Sequence, residues 1–62
     1  MTIAELQEKR AAKLAEMRQL ATGEQTPEKR TAFDALEKEV ETLNGDITRA
    51  QRVAEFERIA ES

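Results

Sequence analysis

The chain has 62 residues, 13 acidic against 10 basic, for a net charge of −3. That length holds one small domain at most, and so even a charge balance does not favour a polyanionic partner such as nucleic acid. With no Cys and no His, the sequence lacks a disulfide framework, a thiolate metal site and the Glu-x-x-His pair of helical di-metal bundles.

Charged residues make up 37% and apolar residues 39% of the chain, with two Phe as the only aromatics. Such a mixture at helical periodicity reads as long helices or coiled coil, hence an all-α fold. An ordered apolar stripe argues against disorder despite the high charge. No stretch approaches the ~20 apolar residues of a membrane span. Glu5, Glu8, Lys9 and Arg10 interrupt any signal-peptide core, so the cytoplasm is the expected compartment.

A first helix is expected over residues 3–21. Thr2 and Glu5 have the spacing of a capping box, which satisfies backbone donors left over at a helix start. Ile3, Leu6, Leu14, Met17 and Leu20 share one arc of this helix. Arg10 falls near the middle of the arc and Lys13 at its edge. Two readings of Arg10 stay open. Its stem packs while its guanidinium reaches a carboxylate at the seam edge, or it makes a buried ion pair that sets the register.

Thr22 and Gly23 end the first helix, since glycine suits a left-handed C-terminal cap. Residues 22–26 form a connector. Thr26 then caps a second helix and Pro27 takes its first position, where no backbone N–H is needed. Glu28 adds negative charge to the first turn, favourable to the helix dipole.

The second helix is expected over residues 27–60. Phe33, Leu36, Val40, Leu43, Ile47, Ala50 and Ala54 alternate at spacings of three and four, a heptad seam aimed at another helix. Asn44-Gly45-Asp46, taken alone, reads as a turn. The heptad phase nevertheless runs unbroken from Leu43 to Ile47. Gly45 falls on the outward face, where it costs only ~1 kcal/mol relative to Ala. One continuous helix is the expectation.

So short a connector forces an antiparallel hairpin. Its seam is Ile3, Leu6, Leu14, Met17 and Leu20 against Phe33, Leu36, Val40, Leu43 and Ile47, with Arg10 opposite Val40. The first helix is slightly basic and the facing part of the second acidic, which assists orientation more than stability. At ~28 Å against ~50 Å, the helices differ in length, and the second projects beyond the first. Val53, Phe56 and Ala60 form a second stripe on the projecting part, with Ile59 beside it. A lone hairpin cannot bury both stripes, and its core is thin for independent stability. Self-association into a homo-oligomer, or docking on a larger body, is therefore expected, with this stripe as the interaction patch.

The search for catalytic chemistry gives nothing. Glu37 and Glu41 are four residues apart and read as a solvated face rather than a metal site. No acid lies centrally on an apolar stripe, where burial would tune it for acid–base work. Arg49 and Arg52 share a face, but Glu55 and Glu57 surround them, which disfavours phosphate binding. The polar face is not basic, so membrane-surface binding is not expected either. No enzyme activity, cofactor or metal is expected. A coiled-coil adaptor or small regulator that binds another protein remains the alternative to an assembly module.

The opening Met1-Thr-Ile-Ala-Glu-Leu-Gln-Glu-Lys-Arg10, the connector ending in Thr26-Pro27-Glu28, and the run Phe33-Asp-Ala-Leu-Glu-Lys-Glu-Val40 resemble the N-terminal delta, or scaffolding, domain of tailed-bacteriophage major capsid proteins. The resemblance extends over essentially the whole chain. It implies a helical segment that guides coat-protein subunits into a correctly curved procapsid and that a phage maturation protease removes. It further implies a location in the host cytoplasm, within the procapsid. The shell-forming domain of that family does not fit in 62 residues, so the resemblance carries over the scaffolding role alone, and the abrupt Glu61-Ser62 end reads as that of a fragment.

Overall fold

In a computed structural model, which describes residues 1–61, the chain forms two helices, α1 (Ile3–Leu20) and α2 (Pro27–Glu61), packed against each other as a hairpin. Among the described residues there is no strand. Each helix differs from its expected bounds by one residue at its C-terminal end: Ala21 is the cap of α1 rather than its last member, and α2 reaches Glu61.

Local chemistry accounts for both helix starts. Thr2 is extended, and its Oγ1 accepts from the Glu5 backbone N–H at 3.1 Å. The Glu5 carboxylate accepts in return from the Thr2 backbone N–H at 3.3 Å. Two donors that the helix itself leaves unpaired are thereby satisfied. At α2 the Thr26 hydroxyl accepts from the Lys29 backbone N–H at 3.2 Å, directly before Pro27.

The end of α1 is closed by side chains from both sides. Gly23 adopts φ 82°, a conformation that costs an L side chain steric strain. The Lys29 ammonium donates to the carbonyls of Thr22 at 2.8 Å and Glu24 at 2.9 Å. The Gln25 amide donates to the carbonyls of Leu20 and Gly23, each at 3.2 Å. These bonds occupy acceptors that a helix terminus otherwise leaves to water. They hold the connector in the geometry that turns α2 back along α1.

Helix α2 passes through Asn44-Gly45-Asp46 without interruption, as the heptad phase requires. The Arg49 guanidinium lies over Gly45, at 3.4 Å from where a Cβ would stand. Arg49 also pairs with Asp46 one turn earlier. The outward face at this glycine is thus covered by a side chain of the same helix.

The two helices meet in antiparallel order. Lys13 reaches Glu39, Arg10 reaches Asn44, and Leu6 packs with Leu43 and Ile47. The buried core is Leu6, Val40, Leu43 and Ile47, and among the described residues no side chain is completely enclosed. With 18 residues in α1 and 35 in α2, the rises are about 27 and 52 Å. The Cα trace measures 54 × 15 × 15 Å, so α2 alone sets the length of the molecule.

Candidate helix–helix interaction surfaces

Two surfaces are candidates for helix–helix contact: the seam between the helices and the part of α2 that α1 does not reach. On α1 the residues withdrawn from solvent are Ile3, Leu6, Arg10, Lys13, Met17 and Leu20. Their spacings alternate strictly between three and four, which is a heptad seam. One expected member is corrected. Leu14 is 41% exposed, and Lys13 takes the seam position beside it. The reason is phase: the alternation that places Met17 and Leu20 inward also places Lys13 inward and turns Leu14 towards the rim.

The centre of the seam is consequently polar on the α1 side. Lys13 lays its stem along the seam and its ammonium meets the Glu39 carboxylate at 2.8 Å, the snorkelling behaviour of long cationic side chains. Arg10 donates from Nη1 to the Asn44 side-chain oxygen at 2.8 Å. This corrects the expected carboxylate contact: the acceptor is a neutral amide, one turn beyond Val40. An apolar block around Leu6, Leu43 and Ile47 lies on one side of this polar belt. Half-buried Met17, Leu20, Phe33 and Leu36 lie on the other.

Replacing Arg10 tests what the belt contributes. Arg10→Leu is expected to leave stability unchanged or to raise it by about 1 kcal/mol, because a continuous apolar seam replaces a charge that is only half-withdrawn from water. Chemical denaturation measures this directly. The cost falls on register, read as broadened amide signals, since a polar contact within an apolar seam is satisfied in one alignment only. A loss of several kcal/mol would mean that Arg10 organises a polar network on which the hairpin depends.

Two charged groups of α1, Glu5 in its first turn and Lys13 at mid-helix, respond to pH in opposite directions. The Glu5 carboxyl is held below its ordinary 4.5 by its hydrogen bonds from Thr2, the backbone N–H foremost. The stabilisation of the first turn is therefore present above pH 4.5 and is lost as pH falls through the lowered folded value. Lys13 is raised above its ordinary 10.5, chiefly by its hydrogen bond to Glu39. Its contribution is complete below pH 10.5 and disappears as pH rises through the raised folded value. Acidification is expected to lower the amide protection factors, exchange rates taken relative to the intrinsic rate at each pH, at Glu5 and Leu6 first. Glu5→Gln should remove that acid sensitivity.

Beyond Ala50 every described residue, from Gln51 to Glu61, is exposed, including Ala54 of the heptad seam. Val53, Phe56 and Ile59 are 54%, 63% and 63% exposed, and Ala60 lies on the same side. Exposed apolar side chains scattered singly are ordinary, but neighbours on one face mark an interaction patch. The patch lies roughly 130° round α2 from the hairpin seam, at 3.6 residues per turn. Arg52, Glu55 and Glu57 flank it and make no ion pair among the described residues.

Other features carry less chemistry. The groove beside the polar belt holds Lys9, Lys13 and Lys38 against Glu39 and Asp46, a mixed set without a directed charge. Glu37 and Glu41 are both exposed. Among the described residues no group of three or more His, Cys, Asp or Glu could hold a metal ion. Among the described residues no helix is long and apolar enough to cross a membrane. Comparison of the chain with protein-family models, with curated proteins and with solved structures gives no match.

Proposed function

We propose that this chain is a non-enzymatic assembly module. The hairpin acts as a stiff mount, and the projecting end of α2 makes the contact. A single observation carries the reading: eleven consecutive helical residues beyond α1, Gln51–Glu61, are exposed, and they present Val53, Phe56 and Ile59 on one face. A helix end with no assembly role has no need of a Phe flanked by two β-branched side chains on one face.

The resemblance to the phage delta domain gives this reading its specific form. There the partners are other copies of the module and the coat-protein subunits to which they are joined, in a procapsid. A contact of this size is weak taken singly. Repeated over a shell it gains avidity without trapping misplaced subunits, and it is undone readily when a maturation protease separates module from coat. Sedimentation mass across a concentration series tests the reading. Association that grows with concentration supports it. A monomer at every concentration overturns it in favour of an adaptor that binds a different protein.

A further inference from the structure

Asn44-Gly45 belongs neither to the apolar seam nor to the projecting patch, yet it carries reactive chemistry. Asparagine is among the thermally labile side chains. A glycine after it leaves the next backbone nitrogen unshielded, because glycine has no Cβ. That nitrogen gives up its proton and attacks the Asn44 Cγ. The N–Cγ bond forms, the Cγ–Nδ2 bond breaks, and ammonia leaves with the proton, so that a cyclic imide remains. Asn44 is exposed, and water can then open the imide. Attack at Cγ restores the backbone and leaves aspartate at position 44. Attack at the backbone carbonyl of the same residue leaves isoaspartate, whose main chain runs through Cβ and Cγ and is longer by a methylene.

The closed hairpin restrains this reaction in three ways. Gly45 lies inside α2, where its N–H is committed to the carbonyl four residues earlier. A helical backbone also keeps that nitrogen out of line with the side-chain carbon. The Asn44 Oδ1 accepts from Arg10 Nη1 at 2.8 Å, which holds the amide towards α1. The Arg49 guanidinium, paired with Asp46, covers the outer side of Gly45. All three restraints lapse when α1 leaves the seam and α2 loosens at Gly45. Helix at this point depends on the hairpin, since glycine is a poor helix former and the neighbouring Leu43 and Ile47 are core residues.

We infer that Asn44-Gly45 is a latent modification site, silent while the hairpin is closed and released to form the imide when the seam opens. The two products have opposite consequences. Aspartate at position 44 sets a carboxylate against the Arg10 guanidinium, a stronger contact than the neutral amide makes. Isoaspartate places its extra backbone carbon between Leu43 and Ile47, which shifts the heptad phase and prevents the seam from closing again. A transient opening is thereby converted into permanent loss of the hairpin, whatever the projecting end of α2 contacts.

The test incubates the whole chain in mildly alkaline buffer, with and without denaturant. Peptide mapping by mass spectrometry follows deamidation at position 44, and circular dichroism follows helicity in the same samples. Deamidation should be about tenfold or more slower in the helical chain than in denaturant, because the rate tracks the population of the open form. Leu6→Ala removes a buried member of the core cluster and should raise the rate in buffer about tenfold. Gly45→Ala should slow the reaction in denaturant, where the added methyl group crowds ring closure and no fold is present to protect either chain. The purified isoaspartate product should fail to regain helicity when denaturant is removed, whereas Asn44→Asp should regain it fully. Equal rates with and without denaturant, or a Leu6→Ala rate no higher than wild type, would show that the hairpin does not govern the site. A denatured chain that keeps its amide, or an isoaspartate product that refolds, would overturn the inference as well.

Discussion

Ile47→Asp is expected to abolish the hairpin as a cooperative structure. Ile47 is the most deeply buried residue, at 3% exposure, and it joins Leu6 and Leu43 in the core cluster. Truncating such a side chain costs about 2–5 kcal/mol by itself. A carboxylate there adds the penalty of an unpaired buried charge. A chain this short rarely has more than about 3–5 kcal/mol of stability from its core, so the substitution consumes all of it. Circular dichroism should show low helicity with a broad, non-cooperative melt. Leu14→Asp serves as the comparison, because Leu14 sits at the rim with 41% exposure. It should lower the melting midpoint only slightly. Equal damage from both substitutions would refute the assignment of Lys13 rather than Leu14 to the seam.

That pair of residues also shows where the sequence was legible and where it was not. The helix starts were legible because they depend on a few neighbouring residues. Thr2 with Glu5, and Thr26 with Pro27, carry their hydrogen-bond chemistry at fixed spacing. Continuity through Gly45 was legible because a break would have reset the heptad phase, and Leu43 to Ile47 kept it. The projection of α2 followed from two lengths. Lys13 and Arg10 were harder. Hydrophobicity gathers apolar residues onto an arc and so prefers Leu14, whereas packing follows the strict alternation of three and four and accepts a lysine whose stem is apolar. The acceptor for Arg10 depends on the longitudinal offset between the helices. That offset is set by the whole seam and by the connector, where Lys29 and Gln25 fix the turn. No local signal distinguishes Asn44 from a carboxylate nearby.

The two surfaces consequently make separate demands on the chain. The seam is a thin apolar core interrupted by a polar belt, and the belt disfavours sliding of α1 along α2. Half-buried charged residues within the seam of a small hairpin sacrifice some stability for alignment. The projecting end has the opposite character, with its apolar face outward and no part in folding the hairpin. Substitutions on the two surfaces should therefore behave independently, since sites that share no contacts contribute additively.

Phe56→Ala exploits that independence and is expected to reduce association while leaving the hairpin intact. Phe56 lies past the reach of α1 and is 63% exposed, so folding of one chain gains little from its ring. Alanine is also the better helix former, so the end of α2 should lose no helicity on that account. The ring is a large apolar group at the centre of the patch, however, and removing one from a contact core commonly costs 2 kcal/mol or more of binding, roughly thirtyfold in dissociation constant. Mass and helicity of the same sample should separate: helicity at the wild-type level, mass shifted towards the monomer. Gln51→Ala, on the side of α2 away from the patch, should change neither. On the scaffolding role proposed above, Phe56→Ala in a coat protein carrying this segment should lower the yield of closed procapsids at fixed subunit concentration, because a weakened contact is multiplied over every copy in the shell. Wild-type mass with wild-type helicity in the Phe56→Ala chain would show that the patch makes no contact between copies. The exposed face of α2 would then require a different occupant.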